Sequence, residues 1–175
     1  MKLFASVCLS LALGLVIAVG NAHDASAQSL RYFAVGDGAQ YNPVTYEYSG
    51  AGIGIPFGLQ VIEGTAIPSP EDPDSASVFF QGTFSGEQVT HTFLGDIHST
   101  LSGDVKLEFD ENGMAFGTWN PSFVVNGGTG IFKHAKGRLE GVAINPPFDP
   151  TMETWPFSWQ IEGRINLRLW RLFRR

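Results

Sequence analysis

Two polar residues, His91 and Ser99, lie in a segment of alternating character and are the best candidates for a ligand site. Between Val89 and Phe109 the odd positions are mostly apolar and the even positions mostly polar, which predicts β-structure with one face towards the interior. Because both candidates fall on the apolar face, we expect them to line the interior. A core histidine satisfied by backbone or buried water is the alternative, and the favoured one, for His91. No nearby acid shares that face, so a Ser-His-acid triad is incomplete.

The other ionisable residues lack the spacing of a metal site. His98 and His134 have no second histidine or carboxylate placed to complete a ligand set. Glu71, Asp72 and Asp74 form an acidic group without the spacing of a calcium-binding loop, so a solvated loop is favoured. The sequence therefore predicts no metal and no cofactor.

Aromatic residues follow a proline-rich stretch near the C-terminus and are candidates for an apolar ligand site. Trp155, Phe157 and Trp159 are spaced by two, so in a strand they share one face. Wide apolar side chains at a barrel mouth would hold a hydrophobic ligand, with Trp159 as the candidate pocket residue. The alternative is that these rings belong to the core.

The chain as a whole is typical of an all-β protein. Its 21 glycines are mixed with aromatic and β-branched residues, which suits the bends and bulges of a curved sheet. The clearest strand covers residues 157–169, and further strands are predicted near 55–67, 76–84 and 137–144. Strands with one apolar face, and no helices to cover that face, must either close into a barrel or pack against a second sheet. A closed antiparallel barrel of about eight strands is favoured, and a β-sandwich is the alternative.

Turn signals divide the segment that contains His91 and Ser99. A stretch of 21 extended residues is too long for one strand of a small domain, so we expect a three-residue loop at 102–104, or a bend at Gly95 or Gly103. Residues 110–113 (DENG) predict a type I turn, with Phe109 paired to Met114 and Phe116 on the apolar face. The proline-rich stretches 67–74 and 145–156 are expected to be surface connections.

The segment 123–137 (FVVNGGTGIFKHAKG) predicts a tight corner between strands. We expect Gly127, Gly128 or Gly130 to adopt positive φ, followed by one helical turn. The run lacks the Lys-Ser/Thr of a phosphate-binding loop. It resembles the GGTG-x-F-x-x-A-x-G signature of the dirigent proteins and allene oxide cyclase-like barrels, over roughly residues 76–144.

This resemblance implies an eight-stranded antiparallel barrel, commonly a homotrimer, with an apolar cavity. Members of these families steer a reactive intermediate, a phenoxy radical or a fatty-acid epoxide, without a bound metal. The resemblance therefore implies cofactor-independent cyclase, isomerase or steering activity. Because the pocket residues of those families lie mostly outside the signature, none is transferred to this chain, and the catalytic residues are unknown.

The N-terminus predicts export. Lys2, the apolar run 3–20 and the A-x-A pattern before Gln28 are typical of a signal peptide cleaved after Ala27. A cut after Ala22 and an uncleaved membrane anchor are the alternatives. Cleavage removes the only cysteine, Cys8, so disulfides cannot contribute to a secreted or periplasmic form. Residues 28–163 then form the barrel domain, and residues 164–175 form the end of the last strand and a tail.

Charge is distributed unevenly between an acidic body and this basic tail. The formal net charge is −6, yet five of the eleven Lys and Arg residues lie within residues 164–175. An acidic body argues against nucleic acid as the main partner. The tail would contact an anionic surface through four arginines, or it is a frayed strand end. These arginines are Arg168, Arg171, Arg174 and Arg175.

Two functions remain open from the sequence. The leading one is a secreted barrel that holds an apolar small molecule in its lumen, with the activity that the resemblance implies; the resemblance and the strands with one apolar face support it. The second is a non-catalytic envelope or extracellular structural domain whose barrel is filled by its own side chains, as small barrels often are. The absence of paired carboxylates on the apolar face favours the second.

Overall fold

Alternating residues form long antiparallel strands in the computed structural model, which describes residues 28–41, 45–70 and 80–168. The predicted signal peptide, the acidic group 71–74 and the tail arginines after Arg168 lie outside the described residues. Within these ranges there are nine strands and one short 3-10 helix, η1 (Gly130–Phe132). The strands are β1 (Gln28–Tyr41), β2 (Glu47–Ile55), β3 (Gly58–Thr65), β4 (Ile67–Pro70), β5 (Phe80–Thr92), β6 (Gly95–Phe109), β7 (Ala115–Gly128), β8 (Lys136–Phe148) and β9 (Thr154–Leu167).

Eight of these strands form a closed antiparallel barrel. Neighbours follow the order β3-β2-β1-β9-β8-β7-β6-β5, and pairing of β3 with β5 closes the ring. Closure leaves no free edge along the ring, which satisfies backbone groups that a sandwich would expose. The predicted barrel is confirmed over the β-sandwich.

The ninth strand, β4, continues β3 beyond a single interruption. Val61 lies opposite His91, and Ile67 lies opposite Ser85, so both strands keep one register along β5. Ala66 separates them, and its backbone N–H donates to the carbonyl oxygen of Tyr46 at 3.0 Å. The expected surface connection at 67–74 therefore begins as a short strand.

The turn expected at 102–104 is wrong, because the chain reverses earlier. β6 runs unbroken from Gly95 to Phe109, and a two-residue turn at Phe93 and Leu94 joins it to β5, beside one of the two alternative bend positions. A two-residue turn pairs an even position with an odd one, since Thr92 lies opposite Gly95. Before the turn, the side chains at even-numbered positions therefore face the interior; after it, those at odd-numbered positions do.

The predicted turn at 110–113 is confirmed, although its register differs by one residue. The N–H of Gly113 donates to the carbonyl oxygen of Asp110 at 3.0 Å. The Asp110 carboxylate also accepts from the N–H of Met114 at 2.8 Å, which draws Met114 into the loop. Phe109 therefore pairs with Ala115, and the expectation that Phe116 faces the interior is wrong.

The proline-rich stretch 145–156 is mostly strand rather than a surface connection. Its first residues end β8 and its last begin β9, which leaves residues 149–153 as the loop. The pairing of β7 with β8 shifts register between Ala115 and Gly117, opposite the two prolines of β8. Prolines cannot donate to the ladder, so a bulge is where a strand tolerates them.

The glycine corner has the predicted backbone. Gly127 has φ +133° and Gly130 has φ +53°, conformations that residues with a Cβ rarely adopt. Gly128 is also positive, at φ +158°. The single turn η1 follows as expected and places Phe132 in the core with 0% of its surface exposed.

Candidate functional site

The barrel lumen has two halves that differ in packing. The half at the glycine corner, the corner half, is filled by aromatic and aliphatic side chains. Phe57 and Phe132 are both fully buried and meet edge to face with ring centroids 4.9 Å apart. Tyr32 packs beside Phe57 at 6.0 Å and donates its hydroxyl to Gln60 Oε1. None of these four residues lines the cavity of the other half.

The other half, the cavity half, contains a cavity of about 70 Å³. One water centre needs only roughly 10–15 Å³, so the space exceeds that of a single water. Aromatic rings dominate its wall, and Phe84 meets Trp119 edge to face at 5.0 Å. Its lining includes Tyr48, Phe84, Gln88, Trp119, Phe157 and Trp159.

Facing glycines on β1 and β2 form one wall of this half. Gly36 lies opposite Gly52, and Gly38 lies opposite Gly50, so the wall is bare backbone. A Cβ on Gly36 would be 2.6 Å from Cζ2 of Trp159, a contact that real atoms do not make. The missing side chains thus let the ring of Trp159 lie directly against the sheet.

Several neutral polar side chains line the cavity, and they are hydrogen-bonded to one another or to a neighbouring side chain. The hydroxyl of Tyr48 donates to Gln88 Oε1 at 2.8 Å, and Gln88 Nε2 donates to Thr90 Oγ1 at 3.0 Å. The indole N–H of Trp119 donates to Asn145 Oδ1 at 2.8 Å. Burial raises the pKa of Tyr48 above its usual value, so its phenol stays protonated at neutral pH.

One buried polar atom of the lining has no partner. Trp159 is 5% exposed, and its Nε1 finds no acceptor among the described residues. Two other buried nitrogens share this condition, Gln60 Nε2 and Trp155 Nε1, but neither residue lines the cavity. An unpaired buried donor is costly, which makes Trp159 a place where an acceptor would be stabilising.

The chemistry that this lining supports is binding. Among the described residues that line the cavity there is no Asp, Glu, His, Lys or Arg. Tyr48 is the lining residue of a type that takes part in general acid–base catalysis, and burial raises its pKa, which keeps the phenol protonated. Apolar contact with aromatic rings, together with neutral hydrogen bonds, is what the cavity offers.

The expectation that His91 faces the interior is wrong. Its side chain is 44% exposed on the outside of the barrel, where Nδ1 lies 2.9 Å from Asp96 Oδ1 and Nε2 lies 3.7 Å from Glu63 Oε2. The hydrogen bond with His91 is the main cause that lowers the pKa of Asp96. The physical reason is the early turn, which reverses which positions of β5 point inward.

The other two predicted site residues do point inward. Ser99 is 6% exposed, although it is not part of the cavity lining. Trp159 lines the cavity, as its strand pattern predicted. The structure thus places Trp159 in the cavity half and separates it from His91 on the outer surface.

Sequence reasoning missed most of the wall. Phe84 and Gln88 precede the misplaced turn, and Trp119 lies in β7, of which the sequence predicted only the first residues. A signal was present in the spacing of glycines, because Gly36 and Gly38, then Gly50 and Gly52, each repeat with period two. Such spacing predicts a strand face without side chains, against which a ring can pack.

Two other kinds of site are absent from the described ranges. There, no group of three or more His, Cys, Asp or Glu side chains is arranged to hold a metal ion. Nor does the described part of the chain contain a helix long and apolar enough to cross a membrane. Comparison of the chain with protein-family models, curated proteins and solved structures found no match.

Proposed function

We propose that this protein is a small barrel that binds a neutral, apolar small molecule in the cavity half of its lumen. The observation that carries the proposal is the cavity of about 70 Å³ walled by Phe84, Trp119 and Trp159. Small-molecule sites are concave and mostly apolar, with a few polar groups that fix orientation. The cavity of about 70 Å³ is well below the roughly 300–1,000 Å³ of a drug-sized site, so it would take one small apolar part of the ligand while the rest of the ligand lies outside it. Tyr48, Gln88 and the free indole N–H of Trp159 are such groups.

The neutrality of the ligand follows from the wall. A carboxylate or ammonium that entered the cavity would lose its hydration and find no opposite charge among the described lining residues. Such a transfer is strongly unfavourable unless the charge is paired. A ring-bearing or aliphatic molecule with one neutral acceptor fits this environment best.

Export, assembly and any reaction are further parts of the proposal, and they rest on the sequence. The signal-peptide pattern of residues 1–27 supports a secreted or periplasmic location. The resemblance of residues 123–137 to the dirigent and allene oxide cyclase-like signature supports a homotrimer and a cofactor-free cyclase, isomerase or steering activity. The uncharged lining supports a role in holding the ligand more than a role in proton transfer.

The second candidate is a structural domain with a filled lumen. The observation that favours it is the dense packing of the corner half around Phe57 and Phe132, both fully buried. If the cavity half is also closed to ligands in solution, the barrel is a scaffold without a binding role.

Binding of the neutral, polarity-sensitive dye Prodan decides between these candidates. We expect a blue-shifted emission that saturates at about one dye per chain. The test variant is Ala143→Phe, which places a ring in the cavity lining. The control is Ile144→Phe at the next residue, which is 51% exposed on the outer face. Ala143→Phe should abolish binding, and Ile144→Phe should leave it unchanged.

A competition experiment tests the neutrality of the ligand. Naphthalene should displace Prodan, whereas the carboxylate 2-naphthoate should not, because the wall offers it no cation. Absence of dye binding to the wild type would favour the filled scaffold. Equal displacement by both competitors would leave the binding role intact and reject the neutral ligand.

A further inference from the structure

The basic residues of the barrel are gathered at one of its two ends. We call the end that contains the glycine corner the corner end; it consists of the β2–β3 and β5–β6 turns, the connection from β7 to β8, and the four residues of each barrel strand at that end, with Arg168 directly after β9. Of the eleven Lys and Arg residues, seven lie in the described ranges, and six of these are at the corner end. All six are exposed, and they are Arg31, Lys133, Lys136, Arg138, Arg164 and Arg168.

Acidic residues are distributed in the opposite way. Asp96 is the one described Asp or Glu of the corner end, and its carboxylate already contacts His91 and Thr129. The seventh described cation, Lys106, lies at the opposite end and is paired with Glu108 at 2.8 Å. Further acids of that end are Glu47, Asp110, Glu111, Asp149 and Glu153. This separation of charge would orient the barrel with its corner end towards a negatively charged surface.

Three arginines of the corner end lie side by side on neighbouring strands. Arg31 of β1 lies opposite Arg164 of β9, and Arg164 lies opposite Arg138 of β8. Like charges in directly opposite positions destabilise a sheet. Glu140 and Glu162 lie opposite each other two residues further from the end, yet no carboxylate of the described residues forms an ion pair with the three arginines. Phosphate oxygens, which guanidinium groups bind in bidentate fashion, would relieve this repulsion.

The corner end also has an apolar part, which we call the apolar tip and which consists of Ile55, Leu59 and Phe93. These side chains are 68%, 71% and 72% exposed, the highest values among the large hydrophobic residues of the described ranges. The β2–β3 and β5–β6 turns bring them together, because a Cβ on Gly58 would lie 4.0 Å from Cε1 of Phe93. Exposed apolar patches of this kind mark contacts with proteins or membranes.

The apolar tip and the basic residues are neighbours around the rim of the barrel. The carbonyl oxygen of Leu94 in the β5–β6 turn accepts from the N–H of Ile131 at 3.2 Å, which joins this turn to the basic connection from β7 to β8. On the other side of the tip, Ile55 lies opposite Phe33, and Arg31 is the next outward residue of β1. Cations therefore flank the tip on both sides.

We propose that the corner end docks this protein on a lipid bilayer that contains anionic lipids. The apolar tip enters the boundary between headgroups and acyl chains, and the surrounding arginines and lysines contact lipid phosphates. Binding at a membrane surface is strongest where apolar burial and attraction to anionic headgroups act together. A soluble polyanion would contact the cations and leave the apolar tip in water, so the bilayer is the partner that uses both. The ligand cavity lies in the other half of the barrel and is independent of this surface.

Co-sedimentation of the exported protein with vesicles tests the basic part of this surface. The wild type should bind vesicles of phosphatidylcholine mixed with phosphatidylglycerol at least about tenfold more tightly than vesicles of phosphatidylcholine alone. Arg138→Gln/Arg164→Gln should weaken binding to the mixed vesicles by roughly 20–30-fold, because each basic residue near an anionic membrane contributes about fivefold. Lys106→Gln, at the opposite end, is the matched control and should leave binding unchanged.

A second pair tests the apolar tip. Leu59→Ser/Phe93→Ser should weaken binding to the mixed vesicles by at least about tenfold, because less apolar surface leaves water. Ile144→Ser/Met152→Ser is the control, since both residues are 51% exposed and lie away from the corner end. The conservative variant Phe93→Trp guards against misfolding. Lipids with brominated acyl chains should quench its fluorescence more than that of the wild type, which shows that position 93 enters the bilayer.

Three outcomes would overturn the proposal. The first is a wild type that stays in the supernatant with the mixed vesicles. The second is binding that survives in both corner-end pairs and is lost when residues 169–175 are deleted, because the tail would then carry it. The third is capture by dextran sulfate without binding to vesicles, which would assign the basic residues to a soluble polyanion.

Discussion

The two halves of the lumen are built from the same strands, yet the cavity described above lies among the residues of just one of them. In the corner half the filling rings come from connections: Phe57 from the β2–β3 turn and Phe132 from η1, both fully buried. In the cavity half the lining comes from strand residues and Ala66. Strand residues line the wall of a barrel, whereas turn residues reach its centre. Whether a small barrel is hollow thus depends on what its connections place inside.

The largest expected effect compares one ring from each half. Phe132→Ala should destabilise the protein by roughly 3–5 kcal/mol, because it leaves a void in a filled core. Phe84→Ala should cost about 1 kcal/mol less, because Phe84 already borders empty space and has fewer contacts to lose. Urea unfolding followed by tryptophan fluorescence measures both. Equal costs would show that the two halves are packed alike.

The next comparison concerns the glycine corner that closes the filled half. Gly130→Ala should cost roughly 2–4 kcal/mol, since φ is +53° and the added Cβ collides with the Leu94 carbonyl oxygen. Gly113→Ala is the matched control, with φ +78° and no atom within 4 Å of the added Cβ. Its cost should be roughly 1–2 kcal/mol. Thermal melting measures both variants. Equal losses of Tm would contradict the steric argument.

Enlarging one alanine in each half tests how much free space surrounds it. Ala34 is fully buried beside Tyr32 on β1, so Ala34→Leu should destabilise by roughly 1–3 kcal/mol through overpacking. Ala143 lines the cavity, where Ala143→Leu should change stability by less than about 1 kcal/mol, because filling the space offsets strain. Differential scanning calorimetry compares the two. A larger penalty at Ala143 would mean that the cavity is not available in solution.

The smallest effect is electrostatic and lies on the outside of the corner half. The hydrogen bond with His91 lowers the pKa of Asp96 from its ordinary value of 3.8. A carboxyl group with a lowered folded pKa stabilises the fold above its unfolded pKa, and this stabilisation is lost as the pH falls through the folded value. Asp96→Asn should therefore lower Tm slightly at pH 7, and the difference from the wild type should shrink as the pH falls below 3.8. A difference in Tm that does not depend on pH would contradict this.

Much of the fold could be predicted from local sequence, and the failures share one cause. The alternation of β9, the loop at 110–113 and the positive φ values of the corner depend on neighbouring residues, and all three are confirmed. The turn at Phe93 and Leu94 was missed because neither residue is one of the Gly, Asn or Asp residues that usually signal a two-residue turn. One displaced turn reversed the facing of β5, which moved His91 outside and brought Gln88 inside.

The sequence by itself determined that the chain is all-β, that its strands have one apolar face and that glycines permit a sharp corner. These properties arise from the period of two and from the allowed backbone angles of single residues. Only the tertiary structure decided that Val61 meets His91 to close the barrel, and that Trp159 lies on Gly36 across from Phe84 and Trp119. Residues so distant in the chain meet through strand order and register, which no local pattern encodes. The cavity exists because of those encounters.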